Sequence, residues 1–136
     1  MRAYVDSSVV LRVALGEADK LTEWTRITDP ISSELIRIEC LRTLDRARLQ
    51  GRLEDPELAR LRADLLQIIE TFALIELDEG IKSRAADPFP TLVRTLDALH
   101  LASALAVRAT AGDLVMATHD GELAIAAEAL GFEVVM

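Results

Sequence analysis

Short runs of apolar residues alternate along the chain with longer stretches in which apolar residues recur every three or four positions. A short apolar run bounded by turn residues is typical of a buried strand, and the longer period is typical of an amphipathic helix. The pattern predicts strands at residues 2–5, near residue 31, and at residues 72–77, 114–117 and 132–135. It predicts helices at residues 9–15, 17–26, 33–50, 55–70, 78–86, 96–109 and 120–130.

Polar residues and prolines mark where several of these elements begin. Ser7-Ser8 offers an N-cap to the first helix, because a hydroxyl oxygen accepts hydrogen bonds from the free N–H groups of a first turn. Asp55 followed by Pro56 predicts the start of the fourth helix, with the aspartate as N-cap. Thr95 is the expected N-cap of the sixth helix, and Asp29-Pro30 predicts a turn before the second strand.

The alternation of strands and helices predicts an α/β fold. Parallel strands need crossover connections, and helices on both faces then give a three-layer α/β/α sandwich around a mostly parallel sheet of roughly five strands. With 136 residues and no linker or repeat, we expect a single domain over residues 1–136. Hydrophobic residues make up 51% of the chain, which excludes a disordered protein. Aromatic residues make up only 4%, which argues against binding of single strands by base stacking.

The charge balance is acidic, with 15 Lys and Arg against 23 Asp and Glu and a net charge of -8. This charge opposes non-specific binding to nucleic acid, but the arginines suit a few directed phosphate contacts. The one cysteine, Cys40, allows no intrachain disulfide. The N-terminus lacks the pattern of a signal peptide, and the longest uncharged apolar stretch, residues 98–107, is too short to span a bilayer. We therefore expect a cytoplasmic protein.

Four carboxylates fall where a ligand site is expected in such a fold. Asp6 follows the first strand, and Asp120 follows the fourth. Asp97 lies in the first turn of a helix that opens toward the same edge of the sheet, and Glu39 lies on the third helix. Ligands bind outside the carboxyl ends of parallel strands. Clustered carboxylates repel one another without a cation, and oxygen ligands of this kind favour Mg²⁺, with Mn²⁺ as the alternative.

Each carboxylate also has a structural interpretation. Asp120 and Asp6 are suitable N-caps for the helices that follow them, and Asp97 would complement the dipole of its own helix. Glu39 would be a solvated residue on the flank of its helix.

Three further residues have chemistry that a site could use. His100 follows Asp97 by three residues on the same helix face, and either touches the site or fills a gap in the core. His119 is expected in a loop. Cys40 lies on the apolar stripe of its helix and is expected to be a core residue.

Four parts of the chain, in series, resemble the PIN domain family and in particular the VapC-type toxins of toxin-antitoxin operons. They are residues 4–11 (YVDSSVVL), residues 33–39 (SELIRIE), residues 94–105 (RTLDALHLASAL), and residues 117–120 (ATHD) with the terminal residues 131–135 (GFEVV). The resemblance covers essentially the whole chain.

The resemblance implies a metal-dependent ribonuclease whose four acids are Asp6, Glu39, Asp97 and Asp120, with Asp6 and Asp97 as direct metal ligands. It also implies that Ser8 and Thr118 hold site waters or carboxylates by hydrogen bonds. The family often has a further acid just after the fourth, whereas Gly121 and Glu122 follow here.

The residues themselves fit this chemistry, because hydrolysis of a phosphodiester needs charge neutralisation and a hydroxide near neutral pH, and carboxylate-bound Mg²⁺ supplies both. Arg94, near the start of the Asp97 helix, is the candidate for steering the phosphates of an RNA substrate, with Arg37 and Arg42 behind it. Alternatively, these three arginines are ordinary surface residues with no role in substrate binding. The cleaved RNA would end in a 3′-hydroxyl.

The expected partners follow from the resemblance and the charge. A cognate antitoxin with a basic tail would fit an acidic groove, so the complex should weaken with salt. A homodimer is expected, with the helical surface around Leu15, Leu21 and Trp24 as its interface. The alternative function is a non-catalytic PIN-like module that binds RNA or a partner. A response-regulator receiver fits poorly, because Lys82 is the last lysine in the chain.

Overall fold

Five parallel strands form the central sheet in the computed structural model, which describes residues 1–136. They are β1 (Arg2–Val5), β2 (Asp29–Ser33), β3 (Ala73–Ile75), β4 (Val115–Ala117) and β5 (Glu133–Val135). Their order is β3-β2-β1-β4-β5. The chain builds outward from β1 on one side and then crosses to the other, so the strand order reverses between β1 and β4. A crevice at the carboxyl ends of two such strands is the usual ligand site of an open α/β sheet.

Six α-helices cover the two faces of this sheet. They are α1 (Ser7–Leu15), α2 (Leu35–Leu49), α3 (Asp55–Glu70), α4 (Glu79–Ala86), α5 (Thr95–Ala111) and α6 (Gly121–Ala129), with a short 3₁₀ helix at Thr22–Arg26. The predicted three-layer α/β/α class is confirmed, and the sheet is parallel throughout. No helix in the structure combines the length and the apolar character that crossing a membrane requires.

The strand period of two divides the core between the two faces. Ala3 and Val5 face the layer of α1, α2 and α3, where they pack with Ile36 of α2 and Leu65 of α3. Tyr4 faces the opposite layer, where the buried residues of α5 and α6 complete a second cluster. The residues that follow β1 therefore lie between two helical layers.

The structure decides between two predicted starts of the first helix and corrects two others. Asp6, in its structural interpretation, is the N-cap of α1, because its side chain accepts from the N–H of Ser8, and the predicted Ser7-Ser8 cap is wrong. Arg94 replaces Thr95 as the N-cap of α5, since the first i to i−4 backbone bond of that helix already ends on the Arg94 carbonyl. Glu54 replaces Asp55 as the N-cap of α3 for the same reason.

Two other predictions were wrong. Asp29-Pro30 is not a turn but the start of β2, where Pro30 pairs in register with Ala3. The helix predicted for residues 17–26 is only a five-residue 3₁₀ helix at its C-terminal half.

The structure corrects one residue of the homodimer interface expected around Leu15, Leu21 and Trp24, and the interface itself stays a prediction. Leu21 is 2% exposed and belongs to the core, and Trp24 packs against Phe72 with a ring-centroid distance of 6.4 Å. A short segment at the edge of a layer uses its apolar residues to close the core, which leaves only Leu15 of the three well exposed.

Candidate metal centre

Two of the predicted carboxylates, Asp6 and Asp120, follow the carboxyl ends of β1 and β4, where the strand order reverses. The Asp6 N–H donates to the carbonyl of Ala117, the last residue of β4, at 3.0 Å. The Thr118 N–H donates in the same way to Val135 of β5, at 3.1 Å. The sheet ladder thus continues past the ends of the strands and fixes the backbone from which these side chains project.

Hydrogen bonds hold one oxygen of the Asp6 carboxylate. Asp6 Oδ2 accepts from Ser8 Oγ at 2.5 Å, from Thr118 Oγ1 at 3.0 Å and from the Ser8 N–H at 3.3 Å. Asp6 Oδ1 has only a long contact of 3.4 Å with Ser7 Oγ. Asp6 is 6% exposed, so its orientation is set by protein contacts and Oδ1 is the oxygen that remains available to a cation.

Asp120 belongs to the loop that joins β4 to α6. Its backbone N–H donates to Thr118 Oγ1 at 2.9 Å, so one hydroxyl links Asp120 to Asp6. Its Oδ1 accepts from the N–H groups of Glu122 and Leu123, at 2.9 and 3.1 Å, and caps α6. Asp6 and Asp120 each cap a helix with one carboxylate oxygen, so each can also belong to the carboxylate group through its other oxygen. Asp120 Oδ2 has no protein hydrogen bond.

Glu39 of α2 meets His100 of α5 across the edge of the sheet. His100 Nε2 lies 2.5 Å from Glu39 Oε1, and its Nδ1 lies 2.8 Å from the Tyr4 hydroxyl. The Tyr4 oxygen also accepts from the Ser33 N–H at 3.0 Å. Glu39 is therefore held in place, contrary to the interpretation of it as a solvated helix residue.

The sequence predicts for His100 either a contact with the site or a place in the core, and its spacing of three residues from Asp97 is the local signal for the site. No local pattern indicates its partners Tyr4 and Glu39, since they are 96 and 61 residues away in sequence.

Electrostatics link Asp97 to the other acids. Partial burial raises the pKa of the Asp97 carboxyl from 3.8 to about 6, and the charges of Asp120 and Asp6 act in the same direction. Glu39 adds to this shift, while His100 opposes it. A carboxyl perturbed by three other carboxyls lies in a concentration of negative charge.

The neighbouring acids also raise the pKa of His100. Burial lowers the pKa of His100, but the hydrogen bond and the charge of Glu39 outweigh it, so the pKa is raised overall.

The residues present fit a divalent cation. A carboxylate oxygen of Asp6, a carboxylate oxygen of Glu39 and a ring nitrogen of His100 lie within 4.8 Å of one another. Asp6 Oδ1 and Asp120 Oδ2 lack strong protein hydrogen bonds, and the Asp97 carboxyl is destabilised by neighbouring like charge. Hard carboxylate oxygens in this number are ligands for Mg²⁺ or Mn²⁺ rather than for a thiolate-preferring metal.

The remaining candidate residues are placed as follows. Arg94 is exposed, forms no ion pair, and lines a surface cavity of about 550 Å³ that also contains Lys82 and Phe89. Arg42 forms an ion pair with Asp45 at 2.9 Å, so it has a structural role on the surface of its helix. Arg37 is exposed and without an ion pair.

Three further residues are neighbours of Glu39 or Asp120 in the sequence. Cys40 is buried in the core as expected, and burial next to the charge of Glu39 raises its pKa to about 12. His119 lies in the β4–α6 loop as expected, and its N–H donates to Ser8 Oγ at 2.9 Å. Glu122 is exposed in the first turn of α6, and its carboxylate has no hydrogen bond.

Comparisons with known proteins identify relatives over nearly the whole chain. The family described as PIN domain matches residues 3–129. The ribonuclease VapC46 of Mycobacterium tuberculosis is 34% identical over 97% of this chain and 95% of its own length.

Two solved structures share the fold. One, described as a toxin-antitoxin complex from Klebsiella pneumoniae, has a TM-score of 0.63 at 16% identity and covers 90% of each chain. The other, PAE2754 from Pyrobaculum aerophilum, has a TM-score of 0.62 at 20% identity and covers 98% of this chain and 83% of its own.

Proposed function

The chain belongs to the PIN domain family, and from this membership we propose that it is a metal-dependent endoribonuclease that acts as the toxin of a toxin-antitoxin pair. A 34% identical relative that spans the same length is a ribonuclease, which supports the same reaction for this chain. We propose Mg²⁺ as the cofactor, with Mn²⁺ as a substitute, because the available donors are carboxylate oxygens.

The observation that carries this proposal is the close approach of Asp6, Glu39 and His100 near the point where the strand order reverses. Asp6 follows β1 and Glu39 lies on α2, and a ligand atom of each lies within 4.8 Å of the other. Asp97 and Asp120 act on one another through their charges, as the raised pKa of Asp97 records. Such an arrangement is destabilising when empty, which makes a bound cation the simplest reason for it.

The four acids would share the work of holding the cation. Asp6 would use Oδ1, since Ser8 and Thr118 occupy its other oxygen. Asp97, with a pKa of about 6, is ionised at neutral pH and would be the second direct ligand. Glu39 and Asp120 would complete the group. When bound, Mg²⁺ supplies neutralisation of phosphoryl charge and a water of lowered pKa.

The reaction is hydrolysis of an RNA phosphodiester. A water oxygen bonds to phosphorus, and the bond from phosphorus to the 3′ oxygen breaks. The attacking water loses a proton and the leaving oxygen gains one, so the products are a 3′-hydroxyl and a 5′-phosphate. We propose that Arg94 orients the substrate phosphates, because its guanidinium is exposed, unpaired and three residues from Asp97.

The partners in this proposal are an RNA substrate, a second copy of the chain and an antitoxin with a basic tail. The concentration of carboxylates would attract an arginine of that tail, and the fold is shared with a protein from a toxin-antitoxin complex. Exposed apolar side chains such as Leu92 and Leu96 are available for protein contacts. Residues 1–136 would act as one domain, in the cytoplasm with the RNA.

RNA cleavage by the purified chain tests the proposed function. We expect cleavage of labelled RNA with Mg²⁺ or Mn²⁺, none in excess EDTA, and recovery when the metal is restored. Products should be extended by an enzyme that requires a 3′-hydroxyl. Asp6→Asn and Asp97→Asn should each lower the rate by about 100-fold or more, since each removes a charged ligand of the cation.

Asp113→Asn is the matched control. Asp113 is an exposed aspartate that precedes β4, at the opposite edge of the sheet, so its loss should leave the rate unchanged. Cleavage that persists in EDTA would contradict the metal mechanism. RNA binding without cleavage under every metal condition would favour the non-catalytic module instead.

Sedimentation and salt titration test the partners. A dimer is expected at micromolar protein concentration, and a monomer there would refute it. An arginine-rich antitoxin tail should bind more weakly as salt rises, and binding that is insensitive to salt would contradict the ionic contact.

A further inference from the structure

His100 is a fully buried imidazole whose two nitrogens connect the sheet to Glu39. On one side Nδ1 contacts the Tyr4 hydroxyl at 2.8 Å, and on the other Nε2 contacts Glu39 Oε1 at 2.5 Å. Tyr4 is itself buried and accepts from the Ser33 N–H at the end of β2. We call the series of Ser33 N–H, Tyr4 hydroxyl, His100 ring and Glu39 carboxylate the histidine tether.

The contact with Glu39 decides which nitrogen of His100 carries a proton. A carboxylate oxygen can only accept, so Nε2, at 2.5 Å from Glu39 Oε1, donates to it in the neutral ring and in the protonated ring. In the neutral ring Nδ1 accepts from the Tyr4 hydroxyl, whose oxygen accepts from the Ser33 N–H, and in the protonated ring Nδ1 donates to the Tyr4 oxygen. In either form the Nε2 lone pair is not available to a cation.

The histidine tether leaves one oxygen of Glu39 free. Oε1 is occupied by His100, while Oε2 has no protein hydrogen bond. A glutamate on a helix flank otherwise samples many rotamers, and fixing it has an entropic cost that binding would have to meet. His100 fixes it before any ligand arrives, and does so from the helical layer on the opposite face of the sheet.

We propose that His100 is a positioning residue that holds the Glu39 carboxylate toward Asp6 for cation binding and does not itself ligate the cation. This inference rests on the proposed function, because it assumes that the carboxylate group binds a metal. Contacts that orient metal-ligating side chains commonly change metal affinity by 10- to 100-fold when they are removed.

A pair of amide substitutions separates the two nitrogens of the ring. In His100→Gln the amide nitrogen reaches the place of Nε2 and keeps a donor to Glu39. In His100→Asn the shorter amide reaches the place of Nδ1 and keeps a partner for Tyr4, but loses Glu39. The variants thus match in chemistry and differ in which contact survives.

The affinity of the metal-free protein for Mn²⁺, measured by calorimetry, is the readout. We expect His100→Asn to bind about 10- to 100-fold more weakly than wild type and His100→Gln to retain most of the affinity. Thermal unfolding with EDTA checks that both variants are folded. A loss common to both variants, or none in His100→Asn, would overturn the proposal.

Tyr4→Phe provides a second test that keeps the imidazole. It removes the hydroxyl partner of Nδ1, so it should weaken Mn²⁺ binding in the same direction as His100→Asn, and unchanged affinity would contradict the histidine tether. The outcome is separable from that of the proposed function. If wild type itself binds no Mn²⁺, the proposed function fails, whereas normal binding by His100→Asn refutes only the histidine tether.

Discussion

Replacing Asp97 by asparagine should stabilise the metal-free protein at neutral pH. The folded state holds the Asp97 carboxyl partly buried and close to Asp120 and Asp6, which raises its pKa to about 6. When folding raises the pKa of an acid, the folded state is less stable at every pH at which that acid is ionised. The penalty is complete above the folded pKa and disappears as the pH falls toward the unfolded value. Asparagine has no charge and avoids it.

The size of the effect follows from three contributions. A rise from 3.8 to about 6 corresponds to at most about 3 kcal/mol. Because Asp97 is partly exposed, solvent screening reduces this to about 1–2 kcal/mol. The carboxylate also gains about 0.5 kcal/mol from the first turn of α5, which asparagine loses. The net gain of about 1 kcal/mol should raise the melting temperature by about 3–5 °C.

Thermal unfolding of wild type and Asp97→Asn in EDTA measures this difference. It should be positive at neutral pH and should vanish as the pH approaches 3.8, where the Asp97 carboxyl is protonated in the folded state. Added Mg²⁺ should stabilise wild type by mass action and the variant much less. A variant that is less stable at neutral pH, with an unchanged response to Mg²⁺, would make Asp97 only a helix-start acid and would refute the argument.

Three more predictions concern neighbouring groups. The affinity for Mn²⁺ should fall as the pH drops through about 6, since the cation must displace a proton from Asp97, and a pH-independent affinity in calorimetry would contradict this. Cys40, buried with a pKa of about 12, should resist alkylation at neutral pH until denaturant is added, as mass spectrometry would show; rapid labelling of the folded protein would place it elsewhere. Thr118→Val should lower the free energy of unfolding by about 1–3 kcal/mol, because Asp6 loses a donor and the Asp120 N–H loses an acceptor. Chemical denaturation measures this, and a neutral effect would mean that the two hydrogen bonds add nothing.

The layered fold and the general position of the site could be predicted from local signals. Apolar runs of strand type and the residues that end them are visible in the sequence, so the pattern alone assigns Asp6 and Asp120 to the carboxyl edge of the sheet. Parallel strands then limit where those two can lie. The same signals located Thr118, whose hydroxyl links them.

What could not be predicted depends on residues that are far apart in sequence. The contact between Glu39 and His100 joins helices from opposite faces of the sheet, and no local period records it. The burial of Leu21 and Trp24 could not be predicted either. On a short segment, the sequence pattern of an apolar residue that contacts a partner is the same as that of one that contacts the core. Their burial depends on how that segment closes the layer of α1 and α3.

Anomalous scattering from a wild-type crystal soaked in Mn²⁺ shows whether these carboxylates bind a metal. We expect a strong peak at the carboxyl edge of β1 and β4, within bonding distance of Asp6 and Asp97, about 2.1 Å from a carboxylate oxygen. We expect no such peak in crystals of Asp6→Asn. A peak elsewhere on the molecule, or none at a Mn²⁺ concentration that supports RNA cleavage, would contradict the claim that these carboxylates form the metal centre.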